Sequence, residues 1–384
     1  MPDFDKIISG IKSIFKLIFG DHTPPWLFPV IGWGLLFIGA ICAVWGIMVI
    51  LSKIKDLWLQ SFRPLFYNDE EKRLGVRRRN FAGYIKDEIL KLDRHEDWKD
   101  FRFADLEAEV EAESYRRILG VLPLFLQAES SSLRTERSLS KAIASSQDRL
   151  ILVEGDPGSG KSVALRHVAL AIAKHAEGTR NIKSIIPIYV NLKELERPEN
   201  AAIDRNLIES FVLKSLKRTN DRFVEQFLDD EFDKGMENST WFFLFDSFDE
   251  LPEVLSSTAA DMVVRQYGDA IDDFLHGINR CRGVIASRQF RGPDRFGWPR
   301  FRVLPLSEKR RLDLIQKMGL KRETENEFIG QLDIANEEIR SMASNPLLLT
   351  LLCEHVKNGH PFPENTYTVF ETYITNRLTR DEPR

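Results

Sequence analysis

The sequence predicts an α/β fold: a parallel sheet flanked by helices, followed by a small helical domain and preceded by one N-terminal transmembrane helix. Three observations predict it. Short apolar runs alternate with amphipathic helical segments between residues 149 and 306, a glycine-rich loop stands between the first of those runs and a helix, and residues 26–51 carry no charge. The 384 residues suffice for two or three structural units. A chain that is 43% hydrophobic and 29% charged, with a net charge of -4, reads as globular and gives no reason to expect a specific nucleic-acid partner. Cys42, Cys281 and Cys353 lie far apart without a CxxC pair, which argues against both a zinc site and a disulfide framework.

Residues 1–25 form an amphipathic N-terminal segment. Phe4, Ile7, Ile8, Ile11, Ile14 and Phe15 recur at helical spacing with Lys6, Lys12 and Lys16 between them. Such a stripe suits a helix lying on a membrane and equally one packed on a partner protein. Residues 26–51, WLFPVIGWGLLFIGAICAVWGIMVIL, then supply the roughly 20 apolar residues a membrane-spanning helix needs. Lys53, Lys55, Arg63, Lys72, Arg73 and Arg77 to Arg79 follow the run, so positive charge favours a single-pass topology with the C-terminal side, including residues 149–306, in the cytoplasm. Residues 52–148 are dense in charge and read as a helical juxtamembrane connector, whose basic cluster either meets anionic lipid or forms a solvated face.

From residue 149 to 306 the pattern changes. RLILVEG, SIIPIYVNL, WFFLFD, GVIASR and FRVLPL read as buried strands, because Val, Ile and Phe dominate them and turn residues or helices bound them. Their alternation with helices implies a parallel sheet covered on both faces. Residues 307–384 show no further strand signal and read as a helical domain.

The loop Gly155, Asp156, Pro157, Gly158, Ser159, Gly160, Lys161, Ser162 satisfies GxxxxGK[ST] and lies between a strand and a helix, as that motif requires. Its glycines let backbone N–H groups converge on phosphate oxygens, and the following helix adds its positive N-terminal dipole. Lys161 is placed to reach the β- and γ-phosphates, and Ser162 to ligate magnesium. A second carboxylate site is expected at the end of another buried strand, and WFFLFDSFDE supplies it. Asp246 is the second candidate magnesium ligand, Glu250 the general base for water, and Asp249 its support. Arg288 follows the strand GVIAS, where its guanidinium can sense the γ-phosphate. The fold expected is therefore that of P-loop NTPases, with ATP or ADP and Mg2+ as ligands. No NKxD motif and no LSGGQ-like signature occurs, which favours ATP over GTP.

Taken in order, RLILVEGDPGSGKS, IIPIYVNLKELE, WFFLFDSFDEL, VIASRQF, VLPLSEKRRLDLI and SNPLLLTLLCEH resemble the NACHT family of STAND-type NTPases over about residues 145–375. The family's FDGLDEL pattern reads FDSFDEL here, with Ser247 in place of glycine. The resemblance places Arg288 as the arginine after the fourth strand, and puts Asn345, Pro346 and Leu347 at the segment near the nucleotide base. It implies a protein that rests with ADP, exchanges to ATP, and self-associates to cluster an N-terminal effector. Residue 384 falls about where the family's winged-helix module would begin. The resemblance thus implies a longer product or a separate sensor protein. The expectation is a membrane-anchored, slowly hydrolysing signalling switch, for which bacterial relatives imply antiviral defence. The alternatives are a non-catalytic membrane scaffold with a nucleotide-binding fold, and a constitutive AAA-like motor, which needs an arginine acting in trans.

Overall fold

The computed structural model describes residues 69–95, 104–111, 133–199, 201–257, 260–276, 281–289, 291–293 and 298–381, together with isolated positions between 9 and 53. Apart from those positions, the amphipathic segment 1–25 and the uncharged run 26–51 lie outside the described residues. Among the described residues no helix is long and apolar enough to cross a membrane. The chain divides into Met1–Lys72 and Arg73–Arg384, and the sheet belongs to the second unit.

Helix α1 (Asp69–His95) precedes strands β1 (Ala108–Glu111) and β2 (Leu133–Glu136) and the short α2 (Leu139–Ser145). Then come β3 (Leu150–Glu154), α3 (Lys161–Gly178), β4 (Ile186–Asn191), α4 (Arg205–Leu216), α5 (Arg222–Glu237) and β5 (Trp241–Asp246). The α6 helix (Pro252–Ser256), α7 (Ala260–His276), β6 (Arg282–Ser287) and β7 (Arg300–Val303) complete the sheet region. Five helices follow: α8 (Glu308–Lys317), α9 (Arg322–Ile334), α10 (Glu337–Met342), α11 (Pro346–Lys357) and α12 (Thr366–Asp381).

The sheet has seven strands in the order β2-β1-β7-β3-β6-β5-β4. Strands β7, β3, β6, β5 and β4 pair in parallel and correspond to the five apolar runs of the sequence. Strand β5 is buried at all six positions, and Phe243 meets Phe274 of α7 edge to face at 5.0 Å. Burying each such side chain stabilises the fold by about 1.5–3 kcal/mol, which is why parallel strands covered on both faces read as continuous apolar runs.

Two expectations are corrected. The sheet is mixed rather than all parallel, because β1 pairs antiparallel with both β7 and β2. Both added strands fall inside 52–148, which the sequence presents as a helical connector. AEVE and LRTE are four residues each and alternate charge with small or apolar groups, as suits a strand near a sheet edge where water and charge blunt further pairing. Two members of the basic cluster, Arg77 and Arg78, are taken up by packing. Arg78 is 5% exposed, donates to Ser184 O at 3.0 Å and lies 5.4 Å over the Trp241 ring, while Arg77 pairs with Asp230 at 2.7 Å. These two guanidinium groups hold α1 onto the core, where Phe81 stacks on Phe227 at 4.6 Å.

Register aligns the strand ends. Glu154 of β3 stands opposite Ser287 of β6, and Asn191 of β4 opposite Asp246 of β5. Strand β6 separates β3 from β5, so whatever follows Ser287 emerges between the glycine-rich loop and the acidic turn.

Candidate functional site

The loop leaves β3 at Gly155 and enters α3 at Lys161. Gly158 and Gly160 take positive φ, +74° and +88°, which only glycine adopts without strain. A Cβ on Gly158 would stand 2.9 Å from Asn345 Oδ1 and 3.0 Å from Leu347 Cβ, so glycine also serves a close approach here. Inside the loop, Ser159 N donates to Asp156 O at 3.1 Å. Lys161 folds over it, donating to Gly155 O at 2.7 Å and Asp156 O at 2.9 Å. Burial pulls the Lys161 ammonium below the ordinary lysine value, while Asp249 and Asp246 oppose that shift.

Asp246 ends β5 and is almost wholly buried, with 2% exposure. Its Oδ1 accepts from Ser162 Oγ at 3.1 Å and from Ser247 N at 2.9 Å, and its Oδ2 accepts from Tyr189 Oη at 2.6 Å. Burial pushes its carboxyl above the ordinary aspartate value, and the three donors and Arg166 pull the other way. An ionised carboxylate only accepts, so the Ser162 hydroxyl must donate, and its oxygen lone pairs remain for a cation. Ser247, where the NACHT pattern has glycine, sits at φ +60° in the left-handed region.

A second cluster surrounds Arg288, just after β6. Its backbone N–H donates to Asp249 Oδ1 at 2.9 Å, its Nε meets Asp249 Oδ2 at 2.8 Å, and its Nη2 meets Glu250 Oε1 at 3.1 Å. The Asp249 side chain is 4% exposed, whereas those of Glu250 and Arg288 are each 40% exposed. The buried carboxylate thus anchors the arginine, and the outer one reaches water.

The helical region closes on the loop through the start of α11. Asn345 caps that helix by accepting from Leu347 N and Leu348 N, and its Nδ2 donates to Pro157 O at 2.9 Å. Leu347 N also donates to Gly158 O at 3.2 Å. Pro346 at the first helical position has Cγ 3.9 Å from where a Cβ on Gly160 would lie. Every candidate site residue named from the sequence therefore gathers at the carboxyl ends of β3, β5 and β6 or at the α11 N-terminus.

Three groups escape sequence reasoning: Tyr189, Arg166 and Asp93, which stand behind Asp246. Arg166 Nε donates to Asp93 Oδ1 at 2.7 Å, with both side chains buried. A polar Tyr189 within the apolar strand IPIYVN is a visible anomaly, but nothing in the sequence pairs it with residues far along the chain.

No curated protein matches this chain. Residues 149–320 match the family described as NACHT domain, so that segment is similar to the P-loop NTPases of that family.

Proposed function

We propose that this chain is a nucleotide-dependent switch that binds ATP with magnesium, hydrolyses it slowly, and signals through self-association at a membrane. The observation that carries the reading is the meeting, at one end of the sheet, of a phosphate-type loop, the Ser162 and Asp246 pair at 3.1 Å, and an arginine shared by Asp249 and Glu250. The Ser162 hydroxyl and the Asp246 carboxylate are hard oxygen donors, which fits magnesium, a cation that fills its remaining positions with water and phosphate oxygens. Among the described residues no group of three or more His, Cys, Asp or Glu side chains is arranged to hold a metal by itself. Magnesium, when bound there, neutralises charge on the β- and γ-phosphates.

The chain's own residues perform the rest. Loop N–H groups and the N-terminal dipole of α3 bind the phosphates, and Lys161 exchanges its loop carbonyl partners for phosphate oxygens. Glu250 is exposed enough to take a proton from water, at the end of a turn fixed by the buried Asp249. Arg288 holds Glu250 until phosphate competes for the same guanidinium. Anchoring rests on the uncharged run 26–51, and self-association and a sensor partner rest on the NACHT resemblance.

The test is to purify the full chain in detergent, denature it, identify released nucleotide by chromatography, and assay ATP hydrolysis beside Lys161→Ala and Glu250→Gln. The switch predicts bound ADP or ATP that is lost in Lys161→Ala, and turnover slowed by about a hundredfold or more in Glu250→Gln with retained binding. Binding without turnover in every form would favour a scaffold. Absence of both binding and turnover sinks the reading. Extraction of the chain from membranes by alkaline carbonate would remove the anchor.

A further inference from the structure

A line of polar groups, buried at Asp93, Arg166 and Asp246 and half-buried at Tyr189, runs from α1 to Asp246. A guanidinium has only donors, so Arg166 of α3 donates to Asp93 of α1 at 2.7 Å, and its positive charge also acts on the Tyr189 phenol of β4, opposing the rise that burial gives that group. A phenol has one proton. An ionised carboxylate has none, so Tyr189 directs that proton to Asp246 Oδ2 at 2.6 Å. The opposite oxygen of Asp246 is held by Ser162 and by the Ser247 amide. The carboxylate is thereby fixed from both sides.

Strand register makes the reach natural. Tyr189 pairs with Leu244, two positions before Asp246, so the two polar side chains share one face of the parallel β4–β5 pair. Stability alone does not call for the far end of the line. The Arg166 and Asp93 side chains are 3% and 6% exposed, and a pair so buried is generally replaceable by apolar groups of similar volume at little cost. What apolar groups could not do is hand an oriented proton to Asp246.

We propose that Tyr189, held in place by the Arg166–Asp93 pair, is a positioning residue for the magnesium site, so that the docking of α1 sets how tightly the site takes magnesium. This rests on the reading of Ser162 and Asp246 as magnesium ligands. It ties the helix leading from the N-terminal region to the nucleotide site by a path no residue of the phosphate loop supplies. Groups behind a metal ligand commonly contribute 10- to 100-fold to metal affinity.

The experiment uses the full chain in detergent and follows binding of a fluorescent ADP as magnesium is titrated, with a parallel measurement in EDTA. Tyr189→Phe keeps the ring and its packing. It is expected to raise the magnesium midpoint about tenfold or more while leaving affinity in EDTA unchanged. Asp93→Asn is expected to shift the midpoint in the same direction. Glu177→Gln, which breaks the Lys86–Glu177 pair linking the same two helices at 2.8 Å on their outer side, should leave it within about twofold. An unshifted midpoint in folded Tyr189→Phe overturns the positioning role. A shift in Glu177→Gln as large as that in Asp93→Asn overturns the part given to the buried pair. Wild-type protein whose nucleotide binding ignores magnesium overturns the ligand assignment beneath both.

Discussion

Asn345 performs two separable tasks, and replacing it in two ways should separate them. Its Oδ1 accepts from Leu347 N at 3.1 Å and Leu348 N at 3.3 Å, while its Nδ2 donates to Pro157 O at 2.9 Å. Asn345→Ala removes the cap, worth about 1 kcal/mol, and one net hydrogen bond, worth about another. Together they give about 2 kcal/mol of lost stability. Asn345→Asp keeps a good capping oxygen and loses only the donor, so it should cost about 1 kcal/mol. Affinity for nucleotide should rank the other way. The aspartate adds negative charge beside a loop built to receive phosphate, and about 1 kcal/mol of repulsion weakens binding roughly fivefold at low salt, less as salt is added. Urea unfolding midpoints and nucleotide titrations at two ionic strengths provide the assay. If alanine and aspartate fall in the same order in both measurements, the division of labour assigned to Asn345 is wrong.

Other substitutions address the remaining strained or buried groups. Ser247→Gly relieves a left-handed residue at a cost in chain entropy, and thermal unfolding should show a net gain of up to about 1 kcal/mol; any loss refutes strain at φ +60°. Asp93→Asn leaves Arg166 buried without its carboxylate and should cost about 3–5 kcal/mol, whereas Asp93→Leu with Arg166→Met should recover most of that. Equal losses in the single and double replacements would count against it. His355 donates from Nε2 to Pro361 O at 3.1 Å, and burial holds its imidazole below the ordinary value of 6.5. The unfolded chain therefore binds a proton first on acidification, so the stability from neutral His355 is complete above that ordinary value and declines as pH falls through it. Melting temperatures across pH 5 to 7.5 should fall more steeply for the wild type than for His355→Gln; identical slopes would show that His355 is not the group concerned.

Much of the site was legible because its chemistry is local in sequence. The loop from Gly155 to Ser162, the turn after Asp246 and the arginine after GVIAS each stand at a strand end, and strands buried on both faces announce themselves as apolar runs. The antiparallel strands were not legible, since AEVE and LRTE offer four positions each and carry charge where a core strand would carry valine. The place of β1 is decided by pairing with β7, far along the chain, and β2 pairs in turn with β1. Nor could Asp93 be matched to Arg166, 73 residues away, because a buried ion pair leaves no periodic trace. Arg77 and Arg78 misled for a related reason: a run of arginines reads as a surface until Asp230, Ser184 and Trp241 are folded against it.

Arg288 shows how such a site can change state cheaply. Two of its contacts, through the backbone N–H and through Nε, go to the buried Asp249 and fix where the residue sits. The third, through Nη2, goes to Glu250 across a pair of side chains that are each 40% exposed. An ion pair of that exposure is worth no more than about 1 kcal/mol, while the buried, doubly bonded contact is worth several times as much to keep. A multiply charged phosphate arriving beside Lys161 can therefore take the Nη2 arm without dislodging the rest of the arginine. The same exchange leaves Glu250 without its cation and able to accept a proton. In the proposed switch, nucleotide sensing and release of the base are then one rearrangement of a single side chain, and Arg288→Lys, which cannot serve two carboxylates as a planar fork does, should keep nucleotide binding in titrations yet lose the stimulation of turnover by bound phosphate.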